Sequence, residues 1–111
     1  MTGGQMAPTT EIGVITTTSS KGKGKEFGPG FKGPETVRGV ANKDAYIARA
    51  SVSNPVILRN TIKKAIESQT EKNNFSFVEV LSICPTNWKT SAHESLKRVK
   101  EMEEYYPLGE I

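Results

Sequence analysis

The order of apolar patterns after residue 45 constrains the fold more than any other feature of the sequence. Residues 45–52 and 75–84 are short runs typical of strands, and a stretch with helical periodicity follows each of them. Two strands joined by a helix of about four turns should pair in parallel with a right-handed crossover. The predicted fold class is therefore α/β, with a parallel β-α-β-α unit. Two strands are too little sheet for such a unit, so we expect missing sheet partners.

Both predicted helices carry start signals. Asn54 followed by Pro55 is typical of an N-cap and the first helical position. Ser91 and Glu94 have the spacing of a capping box. The first helix presents an apolar stripe that we expect to be buried, formed by Leu58, Ile62, Ala65 and Ile66. The second helix is expected to bury Ala92, Leu96, Val99 and Met102.

Residues 1–34 contain far less predicted regular structure than the rest of the chain. Residues 14–18 are predicted as a short strand, and residues 19–34 as a long loop of Gly, Lys and Pro without regular structure. A short helix is predicted over residues 35–42. We therefore divide the chain into residues 1–34, a glycine turn plus a Gly/Lys-rich loop, and residues 35–111, the α/β part.

Charge and composition exclude several functional classes. The net charge is +3, and the only dense basic run is Lys21, Lys23 and Lys25. Interleaved with glycine, these lysines are typical of a solvated, flexible loop; the alternative is a loop that meets an anionic ligand or partner. No apolar run approaches the ~20 residues of a membrane span, and residues 1–10 do not have the pattern of a signal peptide. The expected location is the cytoplasm, with neither nucleic acid nor membrane as partner.

Single reactive side chains offer little further chemistry. Cys84 is the only cysteine, so neither a disulfide nor a four-thiolate iron–sulfur cluster is possible within the chain. Cys84 is interpreted as a small buried thiol, with a ligand crevice at a strand end as the alternative. His93 is expected to be solvated. Trp88, Tyr105 and Tyr106 are expected to serve packing or a subunit interface.

Three motifs carry a resemblance to a known family. TGGQ at residues 2–5, CPTNW at 84–88 and YYPLG at 105–109 occur in the order found in β subunits of 2-oxoacid:ferredoxin oxidoreductases of the 2-oxoglutarate or branched-chain type. The resemblance implies part of a thiamine-diphosphate-binding fold. It assigns cofactor binding to the opening turn, formed by Thr2, Gly3, Gly4 and Gln5. Glycines there let the backbone N–H groups approach phosphate oxygens.

The resemblance also implies partners and a reaction. The family decarboxylates a 2-oxoacid oxidatively to an acyl-CoA, using thiamine diphosphate with Mg²⁺ and iron–sulfur clusters that lie outside this chain. Its partners are an α subunit and ferredoxin. The family's Gly-Asp-Gly motif, which holds the metal, precedes TGGQ and is absent from this sequence. We therefore expect a partial β subunit that needs its missing N-terminal half and is inactive alone. No catalytic residue or metal ligand is assigned within the chain.

Two other functions fit the sequence. The α/β part is also suited to a non-catalytic interaction module, or to a truncated remnant of such a subunit. A small basic nucleic-acid binder that uses the loop from Lys21 to Lys25 is a third reading, which a steep salt dependence of DNA binding would distinguish.

Overall fold

The computed structural model describes residues 4–111 and confirms the α/β class. A single 3₁₀ turn at Lys25–Phe27 interrupts the first loop region. The regular elements, in chain order, are α1 (Gly33–Val40), β1 (Tyr46–Ser51), α2 (Pro55–Thr70), β2 (Ser76–Leu81), α3 (Pro85–Trp88), α4 (Ala92–Tyr105) and β3 (Gly109–Glu110).

The sheet has three strands in the order β2-β1-β3. β1 and β2 are parallel, with Arg49 directly opposite Glu79, so the predicted β-α-β-α unit is confirmed. β3 pairs with β1 in the antiparallel direction. This strand is not predictable from the sequence, because two residues beginning with Gly109 carry no strand pattern.

The two faces of the sheet are covered by different elements. On one face, Ser76 and Val78 line a hollow together with Ala65 of α2. On the other face, Glu79 and Leu81 lie beside Met102 of α4. The alternation of side chains along β2 produces this division. The main apolar cluster lies on the α4 side and consists of Leu81, Trp88, Val99, Met102 and Tyr106.

Both predicted helix starts are confirmed. The Asn54 side chain accepts a hydrogen bond from the backbone N–H of Ile57 at 3.1 Å. The Ser91 hydroxyl accepts from the Glu94 N–H at 3.3 Å, and the Glu94 carboxylate accepts from the Ser91 N–H at 2.8 Å. These local contacts satisfy N–H groups that have no partner within the helix.

The predicted buried faces of α2 and α4 are partly wrong. Ile62 and Ile66 of α2 remain 42% and 57% exposed, whereas Ala65 and Ser68 face the core. In α4, Ala92 and Leu96 are exposed, and the buried line is Ser95, Val99 and Met102. Small side chains at the contact let each helix approach its neighbours closely, which leaves the larger residues at the rim.

The predicted strand at residues 14–18 is also wrong. The segment forms only one isolated bridge, between Thr16 and Ser19. Each of these residues donates its N–H to the carbonyl of the other, at 3.1 and 3.2 Å. The chain therefore reverses direction within three residues, which leaves no length for a strand.

The molecule is flatter and more open than its size requires. Its accessible surface is 7291 Å², against roughly 6,000 Å² for a compact protein of this mass. Its radius of gyration is 15.4 Å, against about 13 Å for a compact chain of similar length. Phe75, just before the edge strand β2, is 53% exposed, and Val80 within β2 is 38% exposed. These features fit the expectation of missing sheet partners.

No helix in residues 4–111 is long and apolar enough to cross a membrane.

Candidate functional site

Gly4, in the glycine turn near the start of the chain, packs against the indole of Trp88. Thr2 and Gly3 lie outside the described residues, but Gly4 is buried and has φ +80°. A Cβ atom placed on Gly4 would lie 2.7 Å from Trp88 Cδ1. Both the left-handed backbone and this close approach require glycine at this position.

Hydrogen bonds from the following loop hold the turn in place. The Gly4 carbonyl accepts from the N–H of Thr17 at 2.9 Å and from its hydroxyl at 3.1 Å. The hydroxyl of Thr18 accepts from the Met6 N–H at 2.9 Å. Gln5 lies between these anchors and is exposed. Its amide is therefore free to meet a ligand.

The next residues, Pro8 to Thr10, are fixed from two directions. The Pro8 carbonyl accepts from the N–H of Phe31 at 2.9 Å. The Tyr106 hydroxyl donates to the carbonyl of Thr9, which joins the two ends of the chain. Thr10 is fully buried, and its hydroxyl accepts from the N–H of Ala7 at 3.0 Å. The opening segment is thus an ordered part of the structure.

Lys23 corrects the prediction of a solvated basic loop. Lys21 and Lys25 are exposed as expected, but Lys23 is only 4% exposed. Its ammonium donates to the carbonyls of Thr10 at 2.7 Å, Pro8 at 3.4 Å and Pro29 at 3.4 Å. A sequence signal existed in the glycines on either side of Lys23, since flanking glycines permit close backbone packing.

Backbone pairing turns the Lys23 side chain inward. The Lys23 carbonyl accepts from the Gly13 N–H at 2.8 Å, and the Lys23 N–H donates to the Val14 carbonyl at 3.1 Å. A Cβ atom on Gly22 would lie 2.5 Å from the Gly13 carbonyl oxygen, so only glycine fits beside this pairing.

A cleft of about 190 Å³ opens between the opening segment and α4. Gly4 contributes to its wall, as do Thr16, Arg98 and Tyr105. Within residues 4–111, the hydroxyl of Thr16 and the indole N–H of Trp88 are buried without a hydrogen-bond partner. Buried polar groups are normally paired, so these two groups are exceptions in the part of the fold around Gly4.

Trp88 reaches the turn because of the short helix after β2. Pro85 begins α3, and Lys89 ends it in the left-handed conformation with φ 52°. The Arg98 guanidinium lies over the indole ring, 4.9 Å from its centroid. Trp88 thus stands beyond the carboxyl end of β2, the side of an open α/β sheet where ligands usually bind.

A buried ion cluster connects this region to the sheet. The Arg49 side chain is fully buried and donates to Glu79 at 2.5 Å and to Glu35 at 2.6 and 2.8 Å. It also donates to the Pro107 carbonyl at 3.2 Å and lies 5.4 Å from the ring centroid of Tyr106. Arg49 therefore links α1, β2 and the aromatic tail that holds Thr9.

The cluster shifts the protonation of its members. Hydrogen bonds from Arg49 hold the pKa of Glu35 below its ordinary value, against an opposing effect of burial. Burial, and then the negative charge of Glu11, raise the pKa of the Tyr106 hydroxyl. Glu35 is therefore ionised and Tyr106 is a neutral hydrogen-bond donor at neutral pH.

We expect the Glu35 ion pair to stabilise the fold only above the acid range. Because folding lowers the pKa of Glu35, its contribution is present above the unfolded value, 4.5, and is lost as the pH falls through the lower folded value. Thermal unfolding of the wild type and of Glu35→Gln should differ most above about pH 5 and converge at lower pH. A difference that stays constant down to pH 2.5, about two units below the unfolded value, would contradict the assignment.

The other single residues behave largely as expected. His93 is exposed. Cys84 is partly buried at the start of α3 and packs against the apolar cluster. Trp88 and Tyr106 belong to that cluster, whereas Tyr105 is 55% exposed at the cleft. Among the described residues, no three His, Cys, Asp or Glu side chains are grouped as metal ligands would be.

Comparison with curated proteins shows relatives that cover nearly the whole chain. It is 37% identical to ketoisovalerate oxidoreductase subunit VorA of Methanothermobacter thermautotrophicus over 97% of its own length. It is also 37% identical to 2-oxoglutarate synthase subunit KorB of Methanothermobacter marburgensis over 91%, and 32% identical to pyruvate synthase subunit PorB of Pyrococcus furiosus over 99%. The match spans 24%, 34% and 33% of these three proteins, respectively.

These relatives define the class of protein as a subunit of a 2-oxoacid oxidoreductase. The homologues of the chain are subunits of 2-oxoacid:ferredoxin oxidoreductases, and the chain is similar to the carboxyl-terminal part of these subunits. This confirms the resemblance carried by the three motifs. The chain spans about a quarter to a third of the length of the relatives that it matches. Neither a known family profile nor a solved structure matches the chain.

Proposed function

We propose that the chain supplies half of a thiamine-diphosphate site in a 2-oxoacid:ferredoxin oxidoreductase, with residues 2–5 as the turn that holds the diphosphate. The observation that carries the proposal is the contact between Gly4 and Trp88, which lie in two separate motifs. The similarity to these relatives supports reading the two motifs as parts of one site. Their position beyond the carboxyl end of β2 supports a ligand-binding role.

The described part of the turn fits an anionic group. Gly4 leaves no Cβ on the side of the indole, and Gln5 presents an exposed amide next to it. Backbone N–H groups of such a turn are suitable donors to phosphate oxygens. Residues 4–111 contain no group of three or more His, Cys, Asp or Glu side chains placed like metal ligands. This proposal assigns the Mg²⁺ ligands to the Gly-Asp-Gly segment of the upstream half.

The division of labour follows from these contacts. The bound cofactor supplies the electron sink for decarboxylation of the 2-oxoacid. In this proposal the chain itself binds and orients the diphosphate. Thr17 hydrogen-bonds to the Gly4 carbonyl, and the Trp88 indole packs against Gly4. The Tyr106 hydroxyl donates to the carbonyl of Thr9. Electron transfer to ferredoxin through iron–sulfur clusters, and acyl transfer to coenzyme A, would depend on other parts of the complex and on the α subunit.

The substrate is proposed only as a class. The three relatives are named for ketoisovalerate, 2-oxoglutarate and pyruvate, and the chain resembles them to a similar degree. What these substrates share is the 2-oxo group next to a carboxylate. The aliphatic or acidic remainder would then be selected by residues outside this chain.

A binding experiment tests the proposal. Micromolar affinity requires about 8 kcal/mol, whereas a turn of backbone donors contributes ~0.3–2 kcal/mol. We therefore expect calorimetry to show no measurable binding of magnesium thiamine diphosphate to the isolated chain. Micromolar binding should appear once the chain is co-expressed with an upstream half that ends before TGGQ. Addition of the α subunit should then give dye reduction with at least one 2-oxoacid.

Two variants make this test specific. Gly4→Ala should abolish cofactor binding in the complex, because the new Cβ collides with Trp88. Gly39→Ala is the matched control, since a Cβ on Gly39 meets no atom within 4 Å. Micromolar binding by the isolated chain would refute the half-site. An assembled complex that binds no cofactor would instead favour the non-catalytic interaction module.

A further inference from the structure

The loop that follows the glycine turn is built around one buried cation. The ammonium of Lys23 lies among three backbone carbonyls, those of Pro8, Thr10 and Pro29. Lys23 takes part in none of the ion pairs found among residues 4–111. Carbonyl dipoles therefore carry the stabilisation of a charge that is almost fully removed from water.

The carbonyl groups of Pro8, Thr10 and Pro29 form a cage whose chemistry is matched to an ammonium group. A lysine carries three N–H donors and no acceptor, and the cage offers three carbonyl acceptors. The carbonyls come from two segments that are about 20 residues apart in sequence, residues 8–10 and residue 29. Without a cation between them, these oxygens would face one another in a partly buried space. Lys23 thus joins residues 8–10 to residue 29 through a single ammonium group.

We propose that Lys23 is a positioning residue for the diphosphate turn, with its ammonium acting as a built-in cation that fixes residues 8–10. The segment Pro8 to Thr10 follows Gln5 after two residues, so its position constrains where Gly4 lies relative to Trp88. The part of this inference that names a diphosphate as the ligand rests on the proposed function. The cage itself rests only on the contacts of Lys23.

Nuclear magnetic resonance of the full 111-residue chain tests the cage. Trp88 is the only tryptophan, so its indole N–H gives a single signal at the turn, beside the amide signal of Gly4. Lys23→Ala should shift both signals. Methylammonium should restore them, because it supplies the missing N–H donors, whereas tetramethylammonium, which has none, should not.

Matched variants separate the cage from general effects of charge. Lys21→Ala and Lys25→Ala remove the same charge from exposed positions and should leave both signals in place. Lys23→Met keeps most of the apolar stem and should reproduce the shifts of Lys23→Ala while retaining the helical circular dichroism of α2 and α4. Unchanged signals in Lys23→Ala, equal restoration by tetramethylammonium, or loss of the helical signal in both Lys23 variants would each overturn the proposal.

A second measurement connects the cage to the ligand. In the complex with the upstream half, Lys23→Ala should raise the Kd of magnesium thiamine diphosphate about tenfold, as expected for the loss of a charged hydrogen-bonding group. The rate at saturating cofactor should stay near that of the wild type, and methylammonium should lower the Kd again. A wild-type complex that binds no cofactor would remove the proposed function and the diphosphate part of this inference. The resonance experiment would still decide the cage.

Discussion

Replacing Arg49 by Met is expected to lower the free energy of unfolding by about 3 kcal/mol, because it breaks a buried ion cluster by removing the shared cation. Methionine keeps the apolar stem but leaves Glu35 and Glu79 without a partner. Their side chains are 36% and 25% exposed, so water recovers part of their solvation. The expected loss therefore lies at the lower end of the ~3–5 kcal/mol typical of such a change.

Urea denaturation of both proteins measures this difference. Arg59→Met is the matched control, because Arg59 is exposed on α2 and forms none of the ion pairs found in residues 4–111. Adding Glu35→Gln and Glu79→Gln to the Arg49 variant should recover part of the loss, since it removes the two unpaired carboxylates. A loss no larger than that of Arg59→Met would show that the cluster does not stabilise the fold.

The α/β unit was predictable because its signals are local. Asn54, Pro55, Ser91 and Glu94 act within one helical turn, and each behaves in the structure as its type and spacing predict. Parallel pairing of β1 and β2 follows from the length of the helix between them. These features need no knowledge of what lies across the fold.

The buried faces were harder to predict because they depend on what covers them. Hydrophobicity alone favoured Ile62 and Ile66 for the core of α2, but the sheet contacts Ala65 and Ser68. A stripe of isoleucines that is half exposed still makes sense if further polypeptide covers it. The apolar pattern of α2 therefore does not by itself identify the residues that the sheet covers.

The candidate site was predictable only in part, and for a related reason. Resemblance brought out Gly4, Gln5 and Trp88 as members of motifs, but no spacing rule places Trp88 beneath Gly4 across 84 positions. Lys23 was misread because its partners are backbone carbonyls, and the flanking glycines do not identify which backbone groups lie near it. Long-range contacts to the main chain are the part of a site that is hardest to predict from the sequence.

The contact between Gly4 and Trp88 gives the second large effect. Trp88→Ala is expected to lower the free energy of unfolding by about 3–5 kcal/mol, the usual range for removing a buried large aromatic side chain. Trp88 is 8% exposed and belongs to the apolar cluster, so removing its side chain leaves a cavity beside α4. Trp88→Phe keeps most of the packing and should cost much less.

A double-mutant cycle shows whether the turn depends on this contact. Gly4→Ala should cost about 1–2 kcal/mol for the left-handed backbone, plus a further amount for the clash with the indole. Gly28→Ala is the matched control, because Gly28 has φ +70° but a Cβ there meets no atom within 4 Å.

In the Trp88→Ala background, the indole that the new Cβ would meet is gone. Gly4→Ala should then lower the free energy of unfolding only as much as Gly28→Ala does. The coupling energy of the cycle then equals the clash, and urea denaturation of the four proteins measures it. Additive effects would mean that the turn does not rest on Trp88. The contact that joins the two motifs, and with it the main support for a diphosphate site, would then be lost.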